Sequence, residues 1–405
     1  MYREYMRIKW LWILVLPCIF LLGLTMWFFM EKKQITLPIP TGAFPVGTIT
    51  YQLVDTSRKE KYSHDAGHPF RELMMQIWYP AQSQGSESPA PYISSRLKSH
   101  IQEVLAQKAL ILFGGAGYID ADVATHEFYN LPVNNTQVQY PVILFSHGFG
   151  CPRFLYTSLY EELASHGYIV VAVNHTYTSE PTEFKDGRIL RAANQEWSQF
   201  IHDTDAMEKA HDAEMATWVE DLQFVLDQLM IINNNPANSL HDKLDLNNVG
   251  VIGHSFGGSV ATALCRIDER CKAGVDMEGP LFGPDQDVGF DKPFMFLFGK
   301  PVEIAEDAPN KEYYDELLKQ NERRMSKLYN ALTAEAYYFV VTGADHMSFS
   351  DWNLITQADK VDALKKIQIT RTLLVNFFDK YLKYMQRSVL DGINPEDIVA
   401  KELKE

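Results

Sequence analysis

The chain has 405 residues, 46% of them hydrophobic and 22% charged, a balance that supports a packed globular core and excludes disordered or collagen-like classes. Its net charge is −15. That charge argues against nucleic acid as a partner, because phosphate binding needs a basic surface, and against strong attraction to anionic lipid.

The N-terminal end differs from the rest. Residues 10–30 (WLWILVLPCIFLLGLTMWFFM) carry no charge, and a run of that length spans a bilayer as a helix. Trp10, Trp12 and Trp27 lie near its ends, where amphipathic rings prefer the interface. Arg3, Arg7 and Lys9 precede it against Glu4 alone. The expectation is a cytoplasmic tail over 1–9, a single transmembrane anchor over 10–30 and an extracytoplasmic remainder. A cleaved signal peptide, giving a secreted protein, is the alternative. It is disfavoured because no alanine or serine precedes Ala43 to make a cleavage site. Pro38, Pro40, Gly42 and Pro45 then predict an extended linker over 31–45.

A folded domain is expected over 46–385. Eight apolar or β-rich runs recur, at 47–54, 72–79, 142–146, 168–174, 249–254, 273–277, 294–298 and 336–342. The later ones are short and do not alternate, as parallel strands buried on both faces do not. Helical patterns fall between them. One runs from Phe154 to His166. Another, Asp212 to Met230, puts Met215, Trp218, Val219, Leu222, Val225, Leu226 and Leu229 on one stripe. Its acidic neighbours, among them Glu214 and Asp221, read as a solvated face. A last helix occupies 358–385, and 386–405 reads as a charged tail. Strands with intervening helices predict an α/β fold, a mostly parallel eight-stranded sheet flanked by helices. The segments 93–130, 176–205 and 303–333 read as insertions that wall a pocket. Bulky Phe128, Tyr129, Phe184, Trp197 and Phe200 in them would limit its depth.

Four cysteines are few. Cys265 and Cys271 either bond or stay as separate thiols. No cysteine–histidine spacing or H-E-x-x-H pattern is present, so neither a metal nor another cofactor is expected.

The chemistry centres on Gly253-His254-Ser255-Phe256-Gly257, a G-x-S-x-G motif between an apolar run and a helix-permissive segment. Strand, sharp turn and helix are the context of a nucleophile elbow. A serine hydroxyl needs a base, and the base needs a group to fix its tautomer. Chain order in this architecture is serine, acid, histidine. His346 is the one histidine downstream of Ser255, in the loop after the last predicted strand. Two acids compete: Asp276 in the first run after the elbow helix, and Glu303 after the next. Asp345 adjoins His346 but reads as loop solvation. An oxyanion hole also needs backbone donors. Phe256 follows the nucleophile. Phe149 lies in Ser146-His147-Gly148-Phe149-Gly150, a loop in which His147 reads as a brace.

FSHGFG, RFLYTSLYEELASHGYIVVAVNH, DLQFVLDQL, GHSFGG, AGVDMEGPLFG and GADHMSFSDW follow one another in that order. Together they resemble the platelet-activating-factor acetylhydrolase family of lipases. The resemblance implies an α/β-hydrolase fold and calcium-free hydrolysis of short or truncated acyl esters of phospholipid type. It implies Ser255, Asp276 and His346 as catalytic triad, favouring Asp276 over Glu303, and Phe149 and Phe256 as oxyanion donors. The expected partners are a small-molecule or lipid ester and, through residues 10–30, a membrane. A peptidase or amidase of the same fold and a non-catalytic hydrolase-like binding protein are the alternatives.

Overall fold

The computed structural model describes residues 34–63, 66–83, 85–108, 122–193, 204–282, 285, 287–300, 311–356 and 359–401. The predicted anchor at 10–30, Glu303, Trp197 and Phe200 lie outside these residues. Among the described residues, no helix is long and apolar enough to cross a membrane.

The strands are β1 (Gln34–Thr36), β2 (Val46–Lys59), β3 (Phe70–Pro80), β4 (Asp122–Ala124), β5 (Glu127–Tyr129), β6 (Tyr140–Ser146), β7 (Ile169–Asn174), β8 (Thr182–Glu183), β9 (Ile189–Leu190), β10 (Leu244–His254), β11 (Cys271–Met277), β12 (Phe294–Phe298), β13 (Ala336–Val341) and β14 (Ile398–Ala400). The helices are α1 (Ser95–Lys108), α2 (Thr157–Ser165), α3 (Thr204–Asn234), α4 (Phe256–Ile267), α5 (Lys311–Ala331), α6 (Trp352–Thr356) and α7 (Lys360–Leu382).

Ten strands make one mixed sheet in the order β14-β13-β12-β11-β10-β6-β7-β3-β2-β5. The eight expected strands form its interior. The two extra ones, β5 and β14, are three-residue strands at its edges. They are too short for a periodic pattern, and short edge strands limit open pairing. From β7 through β13 every neighbouring pair is parallel. The stretch 386–401 thus returns to the sheet instead of trailing away.

Alternation sorts the buried strands into two cores. Ile143 and Phe145 of β6 join Val170, Ile252, Val275 and the helices α2 and α7 on one face. Val142 and Leu144 join Val171, Val249, Val251 and the helices α3 and α4 on the other. Helices on both faces explain the continuous apolar runs. The stripe predicted on α3 is fully buried, from Met215 to Leu229. Two of its acids correct the solvated-face reading: Glu214 and Asp221 are completely buried, because each meets cations or ring donors from another element. Cys265 and Cys271 are bonded to each other.

The expected linker is also corrected. β1 pairs with β4, Leu37 is buried, and the Arg371 guanidinium of α7 donates to the carbonyls of Pro38 (3.2 Å) and Ile39 (3.1 Å). Thr41 N donates to Glu162, Gly42 N to Ser165 Oγ, and Phe44 N to Ser165 O. Residues 34–45 are therefore fastened along the domain by backbone groups that find partners.

Candidate active site

Ser255 stands at the turn between β10 and α4 with φ 55° and ψ −126°. A non-glycine residue held there costs on the order of 1–3 kcal/mol, and such strain concentrates at functional sites. Two glycines permit the turn. A Cβ on Gly253 would lie 1.8 Å from Gly257 O, and one on Gly257 would lie 2.2 Å from Ser146 O. The helix start is thus packed directly on the backbone of the 146–150 loop.

His346 opens a 3-10 turn, His346–Phe349, after β13. Its Nδ1–H donates to Glu278 Oε2 at 3.3 Å. Glu278 is the first residue beyond β11, at φ 59°, and its other oxygen accepts from Gly299 N just past β12. Ring and carboxylate therefore meet at the C-terminal edge of the sheet, beside the elbow. Asp345 shapes this turn: its Oδ1 accepts from Ser348 Oγ (2.7 Å) and Asn353 Nδ2 (2.8 Å).

The placement of Asp276 is a correction. Its side chain lies inside the sheet under α4, fully buried, accepting from Gly279 N (2.7 Å) and Thr262 Oγ1 (3.4 Å). Burial pushes its carboxyl well above the usual range, with the negative charge of Glu278 adding to the effect. The reason is position along the strand. Asp276 pairs in register with Gly253 and Phe296, within the sheet; Glu278 has cleared its end. The sequence signal for Glu278 was available: an acidic residue directly after the strand, before Gly279-Pro280, reaches the edge where the elbow stands.

The three loops are joined by one buried chain of hydrogen bonds. Gly148 N donates to Tyr156 Oη (3.1 Å), Tyr156 Oη–H pairs with His254 Nδ1 (2.8 Å), and His254 Nε2 pairs with His346 O (2.8 Å). Because a carbonyl can only accept, His254 carries its proton on Nε2 and accepts from Tyr156. Burial, with His346 beside it, pulls the His254 imidazole down to about 3, so the ring stays neutral. No hydrogen bond joins Ser255 Oγ to His346 among the described residues; such contacts are often loose before substrate enters.

The 146–150 loop is braced from the other side. His147 Nε2 accepts from His175 N (3.1 Å), and its Nδ1–H donates to Gly148 O (2.8 Å). His175 bridges Ser146 Oγ (3.1 Å) and Asp221 Oδ2 (2.9 Å), and Arg71 grips Asp221 with two nitrogens, at 3.1 and 2.6 Å. Burial pushes the Asp221 carboxyl up, but Arg71 and His175 outweigh it and hold it below the usual range. Trp218 stacks on His175 at 3.9 Å. The Phe149 and Phe256 rings meet edge to face at 5.6 Å, and Phe282 and His211 extend this aromatic cluster. Phe256 is the first residue of α4, where helix N–H groups have no intrahelical acceptor.

The pocket expected from the insertions falls elsewhere. Tyr129 and Phe184 line a cavity that Ser255 and His346 do not. Phe128 packs against the core on the α3 side.

The comparisons agree with this architecture. The family model described as platelet-activating factor acetylhydrolase, isoform II matches residues 29–385. A platelet-activating factor acetylhydrolase of Cavia porcellus is 24% identical over 350 residues, covering 78% of this chain and 74% of its own. A probable 1-alkyl-2-acetylglycerophosphocholine esterase of Arthroderma benhamiae is 26% identical, covering 62% and 61%. Among solved structures, a ferulic acid esterase from Streptomyces cinnamoneus superimposes with a TM-score of 0.69 at 26% identity, over 92% of this chain and all of the esterase.

Proposed function

This chain belongs to the platelet-activating factor acetylhydrolase isoform II family and is a carboxylic ester hydrolase, and from that premise we propose a serine mechanism with Glu278 as the triad acid. Ser255 Oγ attacks the ester carbonyl while His346 Nε2 takes its proton. Glu278 fixes the His346 tautomer through Nδ1–H and stabilises the imidazolium that forms. The N–H groups of Phe149 and Phe256 receive the oxyanion. His346 then returns the proton to the departing alkoxide, leaving an acyl-Ser255. Water, deprotonated by His346, attacks the acyl group and releases the acid.

The observation that carries this reading is the His346–Glu278 contact at 3.3 Å beside a serine at φ 55°. The substrate class follows from the relatives' names and from the aromatic cluster around Phe149 and Phe256: an ester with a short acyl chain, of phospholipid type. Residues 10–30 are proposed as a membrane anchor on their uncharged length.

A fluorophosphonate should label Ser255 and release the signal entirely in Ser255→Ala. Labelling that persists in the variant sinks the mechanism. Para-nitrophenyl esters of graded length should show a preference for short acyl groups, and a preference for C16 or longer would remove the proposed substrate class.

A further inference from the structure

The cavity lined by Tyr129 and Phe184, of about 560 Å³, lies over the C-terminal end of β7 and the first half of its antiparallel neighbour β3, beyond the 3-10 turn Arg153–Tyr156 that follows the 146–150 loop. Its charged lining is one-sided. Among the described residues, Arg96, Arg153 and Lys185 face Glu183 alone there, in a molecule whose net charge is −15. Glu183 is already engaged, accepting from Ser94 Oγ with Arg96 at 3.8 Å.

Arg153 is the unusual member. Its backbone is fixed at both ends, N donating to Asn174 Oδ1 (3.0 Å) and O accepting from Tyr160 Oη (3.0 Å). Its guanidinium spends one nitrogen, Nε, on the neutral amide of Gln76 (3.2 Å). No carboxylate of the described residues lies within ion-pair distance of it. The acids it senses are more distant. One of them, Glu127, is pushed up to about 8 by burial and stays protonated at neutral pH. Arg153 is half-buried and lines the cavity, so an anion entering there would meet a guanidinium that has no carboxylate partner among the described residues. The N-terminal turn of α1 adds to the same field: Ser94 Oγ accepts from Leu97 N, and Ser95 and Arg96 line the cavity.

We propose that this cavity binds the phosphate-class oxyanion of a small amphiphilic ligand. The two terminal nitrogens of Arg153 present the planar fork that phosphate accepts in bidentate fashion. Arg96 and Lys185 sit on the same wall system to receive the remaining oxygens. Tyr92, Phe154 and Phe184 supply the apolar surface for the rest of the ligand. The ligand has two possible sources, the head of the ester substrate itself or a separate phosphate monoester. The site stands whether or not Ser255 is the nucleophile.

The test is calorimetric titration of the purified protein with hexyl phosphate and with inorganic phosphate, for wild type, Arg153→Gln and the double variant Arg96→Gln/Lys185→Gln. Wild type should bind hexyl phosphate more tightly than inorganic phosphate. Arg153→Gln should weaken binding by about tenfold or more, the loss of one charge-assisted pair. The double variant should weaken it severalfold while leaving turnover of p-nitrophenyl acetate unchanged. It keeps the test valid if Arg153→Gln melts early. Turnover of a short-chain phosphatidylcholine assigns the source. A selective fall in the double variant means the substrate head occupies the cavity; unchanged turnover with weakened hexyl phosphate binding means a separate ligand. Absence of hexyl phosphate binding to wild type, or binding indifferent to both variants, overturns the proposal. Labelling of Ser255 reports on the hydrolase mechanism independently.

Discussion

Asp276 and Glu278 lie two residues apart in opposite surroundings. Glu278 has left the strand and meets His346, the proposed base, whereas Asp276 is sealed under α4 with its carboxyl pushed up. Glu278→Gln should therefore lower kcat by roughly 10³–10⁴-fold with the fold intact, as losing the tautomer-fixing carboxylate does in other triads. Asp276→Asn should keep near-normal turnover. Its stability effect has a definite sign. The folded value is raised, so the native state holds the proton more tightly than the unfolded chain. The stability this contributes is complete below the unfolded value near 3.9 and declines as pH rises above it. The amide removes that decline, so Asp276→Asn should be at least as stable as wild type at pH 8 in urea titrations. Loss of kcat in Asp276→Asn with Glu278→Gln unaffected would restore the sequence expectation. Tyr156→Phe makes a separate prediction. It strips a partner from both Gly148 N and His254 Nδ1, which are buried, and should cost about 2 kcal/mol in stability. It should also slow fluorophosphonate labelling of Ser255, because the elbow and the oxyanion loop lose their common tie. Ser255 and His346 were singled out because motif context and chain order left one candidate for each, and their roles as nucleophile and base are proposed. The proposed acid, Glu278, was not read from the sequence, which offered Asp276 and Glu303, because finding it requires knowing where β11 ends to within one residue.

At the scale of elements, α3 shows what periodicity reads and what it misses. The apolar stripe from Met215 to Leu229 is legible from spacing alone and is buried as expected. The helix also sends Asp221 inward to Arg71 of β3 and His175 past β7, and no spacing rule reports a partner so far away in sequence. The same limit hid β5 and β14, whose few residues carry no period. The Arg71–Asp221–His175 chain holds the 146–150 loop, so Asp221→Asn should act on catalysis from a distance. We expect kcat on a neutral ester to fall while KM changes little, because the oxyanion donors matter most in the transition state. We also expect a loss of about 3 kcal/mol near neutral pH, from a buried arginine deprived of one carboxylate. The folded value of Asp221 is depressed, so the contribution is fully present above the unfolded value near 3.9 and is lost progressively as pH falls from there toward the lower folded value. The difference in stability between wild type and Asp221→Asn should therefore shrink in acid. A constant difference from pH 7 to pH 3, or a purely KM effect, would show that the chain is not a loop brace.

At the scale of the whole molecule, the position of the N-terminal segment sets how the hydrolase meets its substrate. The linker was read as an extended tether, but residues 34–45 are bound to α7, α2 and β4 through Arg371, Glu162, Ser165 and the β1 pairing. If residues 10–30 span a membrane, only residues 31–33 separate the span from β1. Three residues reach at most about 11 Å. The catalytic domain would then sit directly on the bilayer surface, with no freedom to swing away. That geometry brings a lipid ester to an acidic protein without electrostatic attraction. Two chains starting at different residues test the linker. One beginning at Gln34 should fold and hydrolyse p-nitrophenyl acetate normally. One beginning at Val46 loses the burial of Leu37 and the carbonyl partners of Arg371. It should be less stable by about 2–4 kcal/mol, of which the leucine alone accounts for about 1.5–3. Equal stability of the two would mean the segment is a passive tether. In cells, the full chain should stay in the membrane fraction through a carbonate wash, and protease added outside should find no site in 34–45 until the domain itself unfolds. Release by carbonate, or a mature N-terminus beyond Met30, would show that the span is removed and that the fastened segment 34–45 is simply the start of a secreted enzyme.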